Sequence, residues 1–111
     1  SSSSGNNFTF VNNGTISGEG GTTDSSNEGS GIYLYSISGS GFTLENNGLI
    51  SGKGYKSYGI YVRYNKANIE TLTNNGLILS LGDNIGYGIY TTSSAGNNIS
   101  SITTLENNGL I

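Results

Sequence analysis

Apolar residues along this chain fall at fixed offsets from two recurring triplets. Asn-Asn-Gly occurs at 12–14, 46–48, 74–76 and 107–109, with starts 34, 28 and 33 residues apart. Gly-Ile-Tyr occurs at 31–33, 59–61 and 88–90, and the two triplets alternate strictly. The lines around the first read FTFVNNGTISG, FTLENNGLISG, ETLTNNGLILS and TTLENNGLI. Phe10, Leu44, Leu72 and Leu105 hold one offset, and Ile16, Ile50, Ile78 and Ile111 hold another. Self-similarity at a fixed period is the mark of a repeat architecture.

Each unit predicts strands and turns. The polar–apolar alternation before Asn-Asn-Gly is that of a half-buried strand. Asn-Gly then marks a sharp bend. Leu-Ile-Ser resumes an extended segment, and Gly-Ile-Tyr, β-branched and aromatic, is a third strand. No stretch sustains a helical period. Three short strands in units of 28–34 residues predict an all-β parallel β-solenoid of about 3.5 coils, starting near residues 8, 42, 70 and 103. Residues 1–7 form a polar N-terminal segment, and 8–111 form one solenoid segment. Stacked coils put equivalent residues in columns. The expected inward columns are Phe10, Leu44, Leu72, Leu105; Ile16, Ile50, Ile78, Ile111; and Ile32, Ile60, Ile89, with Leu34, Val62 and Thr91 beside the last. Asn12, Asn46, Asn74 and Asn107 are expected to form a structural ladder of stacked amides at the bend.

Composition narrows the chemistry. Gly, Ser, Asn and Thr number 19, 18, 16 and 11 of 111 residues, a bias that suggests disorder until the register of the apolar residues is seen. Histidine and cysteine are absent. That removes Ser-His and Cys-His nucleophiles, zinc sites of the usual ligands and disulfides. Four basic residues make no nucleic-acid patch, and the longest aliphatic run, Leu77-Ile78-Leu79, inserts in no membrane. No catalytic residues, metal ligands or cofactors are expected.

Five features bear on function. All eight tyrosines lie in or next to the Gly-Ile-Tyr strand. With Ile32, Ile60 and Ile89 inward, Tyr33, Tyr61 and Tyr90 point outward, and Tyr35 and Arg63 form a neighbouring column. This strip is either a ladder that stabilises the strands or a surface for glycans or protein partners; Tyr33, Tyr35, Tyr61, Arg63 and Tyr90 are its candidate binding residues. The loop acids Glu19, Asp24 and Glu28 lack the spacing of known calcium loops. Glu45 and Glu106 share an offset two coils apart, about 9.6 Å, but the repeat consensus explains both. Thr9, Thr43, Thr71 and Thr104 form a single hydroxyl column, where an ice-binding face would need paired ones. Asn7, Asn13 and Asn98 begin N-x-S/T sequons, of which Asn13 belongs to the repeat itself.

From Phe8 to Ile111, the NNGTISG, NNGLISG and GIY lines resemble repeats in passenger domains of bacterial autotransporters and filamentous-haemagglutinin-like surface proteins. The resemblance implies a right-handed parallel β-helix on the outside of a bacterial cell, commonly an adhesin that contacts a host glycan, a host protein or a neighbouring cell. It supplies no active-site motif. The sequence stops within a unit, at Asn-Asn-Gly-Leu-Ile, so the coil is expected to be completed by a longer parent chain or by another copy. The latter is the alternative function, a subunit of an extracellular filament stacked end to end.

Overall fold

The computed structural model describes residues 4–6, 8–35, 38–63, 69–92 and 102–111. Tyr64, the sequon residues Asn7 and Asn98, and most of the expected loops 64–70 and 92–103 lie outside the described residues. Among the described residues all regular structure is β: β1 (Ser4–Asn6), β2 (Thr9–Asn12), β3 (Thr15–Glu19), β4 (Glu28–Tyr35), β5 (Ser38–Ser40), β6 (Phe42–Asn46), β7 (Leu49–Arg63), β8 (Ile69–Asn74), β9 (Leu77–Thr92) and β10 (Ile102–Asn107).

The strands pair in parallel. One sheet runs β2-β6-β8-β10; a second places β3 and β4 on one side of β7 and β9 on the other; β1 pairs with β5. The register is that of the repeat. Phe10, Leu44, Leu72 and Leu105 are successive partners, as are Ile16, Ile50 and Ile78, and Ile32, Ile60 and Ile89. Both larger sheets feed one core of Phe42, Leu44, Ile50, Ile60, Val62, Ile69, Leu72 and Ile78. Removing each such side chain from water contributes roughly 1.5–3 kcal/mol. Four strands at about 4.8 Å span roughly 15 Å between the outer axes, in keeping with a shortest extent of 18 Å.

Four expectations need correction. Three short strands per coil occur only in the first, as β2, β3 and β4. In the next two, the second and third strands run on as β7, of 15 residues, and β9, of 16. The reason is the length of the intervening segment: 18–30 leaves the sheet between β3 and β4, whereas 52–58 and 80–87 are too short to do so. At about 3.3 Å per residue a straight β7 would reach about 50 Å, beyond the longest extent of 39 Å. It bends, with a register shift between Gly54 and Lys56, and its arms meet where a Cβ on Gly52 would lie 2.1 Å from the Tyr58 carbonyl oxygen. Second, Leu105 and Ile111, expected inward, are 51% and 43% exposed, because among the described residues no coil covers β10. Third, the repeat reaches back before residue 8. Ser4, Gly5 and Asn6 pair with Ser38, Gly39 and Ser40, and the Phe8 and Phe42 rings stack at 5.2 Å. Such polar strands pair through their backbones, which hydrophobic patterning does not register. Fourth, Phe42, Ile69 and Ile102 form an unforeseen column, because Glu70 is accommodated by a bulge at Phe42/Thr43 that hides their shared offset.

Candidate functional site

The bend residues form two amide ladders. Asn12 Nδ2 donates to Asn46 Oδ1, Asn46 to Asn74 and Asn74 to Asn107, each at 2.8 Å. The same Nδ2 atoms donate to the glycine carbonyl two residues on and to a leucine carbonyl of the next coil, as Asn46 does to Gly48 and Leu77 at 3.1 Å. The expected ladder is therefore present, and Asn46 and Asn74 in it are fully buried. Outside it Asn47 donates to Asn13, Asn75 to Asn47 and Asn108 to Asn75 at 2.8–2.9 Å. These residues hold the scaffold.

Beside the triplet the acids are tied in place. Glu45 and Glu106 stand in one register column with Thr73 between them, and each carboxylate accepts a hydrogen bond from Asn47 or Asn108 of its own coil. Thr9, Thr43, Thr71 and Thr104 are likewise in register, two residues along from Val11, Glu45, Thr73 and Glu106, so the hydroxyl column neighbours carboxylates rather than a second threonine column. In the first-coil loop, the Asp24 carboxylate accepts the Ser26 backbone N–H at 2.9 Å, which holds its pKa below the ordinary value. Among the described residues no three acidic side chains gather as a metal site.

Tyr33, Tyr35, Tyr58, Tyr61, Tyr87 and Tyr90 assemble into a single cluster. Tyr33, Tyr61 and Tyr90 are register partners, and their rings follow one another at 5.1 and 5.3 Å. Tyr35, Arg63 and Thr92 form the adjacent column. The expectation of a uniformly exposed strip is corrected at its centre. Tyr33 and Tyr35 are 39% and 41% exposed, but Tyr61 is 7% exposed, because Tyr33, Tyr90 and Tyr58 enclose its ring. Tyr58 also stacks on Tyr87, 5.8 Å apart and 9° from parallel. Burial pushes the Tyr58 phenol up to about 12, with the Glu28 carboxylate and neighbouring tyrosines adding to the rise. Burial likewise raises Tyr61, where the Arg63 charge opposes the shift and Glu28 adds to it.

On the first coil the cluster borders an open groove of about 410 Å³, lined by Gly18, Glu19, Glu28, Gly29, Ser30, Tyr33 and Tyr61. Its origin is in the register. Ser30 pairs with Tyr58, and Tyr58 with Tyr87, so Tyr-Gly-Ile-Tyr in two coils is Ser-Gly-Ile-Tyr in the first. The small Ser30 leaves the groove where the other coils carry a ring. Gly18 and Gly29 make a tight floor: a Cβ on Gly18 would lie 1.8 Å from the Ser30 carbonyl oxygen, and one on Gly29 1.8 Å from that of Lys53. Two of the five candidate binding residues, Tyr33 and Tyr61, line this groove, and Tyr35, Arg63 and Tyr90 do not. Sequence reasoning weighed Glu19 and Glu28 only as calcium ligands and passed over Ser30; the exchange of serine for tyrosine before one Gly-Ile-Tyr was the available signal. No protein-family profile, curated protein or solved structure matches the chain.

Proposed function

We propose that this chain is a structural and adhesive segment of a closed, right-handed parallel β-solenoid on the outside of a bacterial cell, of the kind found in autotransporter and filamentous-haemagglutinin-like proteins. Its work is display rather than catalysis. Stacked coils form a stiff support, and the tyrosine cluster contacts a host glycan, a host protein or a neighbouring cell. The observation that carries this reading is the in-register tyrosine column, which sets Tyr33 and Tyr35 on the surface beside a groove while the asparagine ladders and aliphatic columns hold the coils. Rigid aromatic side chains offer large contact area at low entropic cost. The test is adhesion of the protein to host cells and to a glycan panel, alongside a Tyr33→Ala/Tyr35→Ala variant. Loss of adhesion with unchanged thermal stability supports the reading, and equal adhesion by both proteins overturns it.

A second reading, an end-to-end filament, draws on the outer coils. Phe8 on one side and Leu105 and Ile111 on the other are exposed in or beside columns whose inner members, such as Phe42, Leu44, Leu72 and Ile78, are buried. A further coil of the same chain covers such residues, and so does a second copy. Sedimentation across a concentration series separates the two: particle length growing with concentration supports the filament, and a constant monomer overturns it.

A further inference from the structure

We propose that the first-coil groove binds an organic cation, a protonated amine or a guanidinium group, through Glu19, Glu28 and Tyr33. This deepens the display reading by naming the ligand chemistry of one face of the tyrosine cluster, and it rests on that reading only for its biological setting.

Three properties of the groove point to a cation. Its ionised side chains, Glu19 and Glu28, offer only acceptors, and two carboxylates present about eight lone-pair sites in all. The complement is a group rich in N–H donors, and charge-assisted bonds of this kind are the strong ones. Second, Tyr33, 39% exposed, gives the groove an aromatic wall backed by the buried Tyr61, and an accessible ring attracts a cation within about 6 Å. Third, the space has a structural cause: Ser30 stands where Tyr58 and Tyr87 carry rings, above a glycine floor that no side chain can fill. A planar guanidinium or an alkylammonium chain fits such a slot beside Tyr33, and the volume of about 410 Å³ lies in the range of small-ligand sites. Lys53 and Lys56 stand opposite Glu19 and Glu28 in register on the second coil. Neither lines the groove, and among the described residues neither forms an ion pair with these carboxylates. The chain as a whole carries a net charge of −3, which favours the approach of cations.

The test is calorimetric titration of the whole chain with a short peptide bearing one lysine, with its acetyl-lysine twin and with spermidine. The lysine peptide should bind, the acetylated twin should bind at least about tenfold more weakly, and added salt should weaken the complex. Glu19→Gln and Glu28→Gln alter exposed side chains and should each weaken binding about tenfold. Ser30→Tyr extends the tyrosine column into the groove and should abolish it. Spermidine binding with the same dependence on both glutamates also supports the cation site and identifies a free polyamine as its source. Equal affinity for the acetylated peptide, indifference to the two glutamine variants, or no binding by any of the amines overturns the proposal. Tyrosine-dependent adhesion without amine binding likewise overturns the groove assignment while leaving the adhesive role standing.

Discussion

Asn46 shows how a polar residue comes to be fully buried in a chain with so few apolar ones. Its amide has two N–H bonds and a carbonyl, and each is engaged: the nitrogen faces Asn74, Gly48 and Leu77, and the oxygen accepts from Asn12. Buried amides are tolerated on these terms. The two ladders also run in opposite directions. The inner donates toward later coils and the outer toward earlier ones, so their amide dipoles oppose. Asn46→Ala should therefore lose roughly 1–3 kcal/mol, because it takes the ladder donor from the fully buried Asn74 oxygen and leaves a void, while Asn12 keeps Gly14 and Leu49 as acceptors. Asn107→Ala should lose less than about 1 kcal/mol. Asn107 is exposed, and Asn74 keeps Gly76 and Leu110 as acceptors for its two hydrogens. Urea midpoints of the two variants, measured side by side, check the contrast.

Between elements, the coils approach closely at the glycine of Asn-Asn-Gly. Leu49 N–H reaches the Gly14 carbonyl at 2.9 Å, and Leu77 N–H reaches that of Gly48 at 2.9 Å. A Cβ on Gly48 would lie 2.0 Å from the Gly14 oxygen, whereas one on Gly14 meets nothing within 4 Å. The same triplet thus carries different constraints in different coils. Gly48→Ala should cost about 3 kcal/mol or more and Gly14→Ala less than about 1 kcal/mol, read as shifts in the unfolding midpoint. The tyrosine cluster adds a pH dependence. The Tyr58 phenol titrates at about 12 in the fold against an ordinary value of 10.0. The raised value means that folding favours the protonated phenol. Its contribution is complete below pH 10 and is lost as pH rises through about 12. Thermal melts should fall over that window, and Tyr58→Phe, which has no phenol to ionise, should flatten the fall; an unchanged slope would count against this assignment.

For the molecule as a whole, stability concentrates in the middle coils. Leu44, Ile50, Ile60, Leu72 and Ile78 are at most 1% exposed, while their outer counterparts Phe10, Ile16, Ile32, Ile89 and Leu105 are only partly covered or exposed. Stacked repeats behave as nearest-neighbour arrays, in which units bounded on both sides open last. Amide hydrogen exchange should be slowest in β6, β8 and the arms of β7, and faster in β2 and β10. Uniform protection from β2 to β10 would mean that the coils open as one unit rather than from the outside inward.

The repeat lines by themselves determined the strand pairing. With Phe10, Leu44, Leu72 and Leu105 at one offset, only one register puts like on like, and a slip of one residue would turn the Leu and Ile columns to solvent. The stacked asparagines were legible for the same reason, since a column needs only periodicity. The groove was not. Glu19 and Glu28 are nine residues apart, at the end of β3 and the start of β4, either side of a loop unique to the first coil, and Tyr61 belongs to the next. Nothing periodic relates them, and the bend between β3 and β4 brings them together. The depth of Tyr61 was equally hidden, because outward direction follows from strand alternation but exposure depends on the rings around it. Repetition along the sequence encodes what recurs from coil to coil; departures such as Ser30 acquire meaning only when the stacked coils show which neighbouring rings and carboxylates surround the place where a side chain is small.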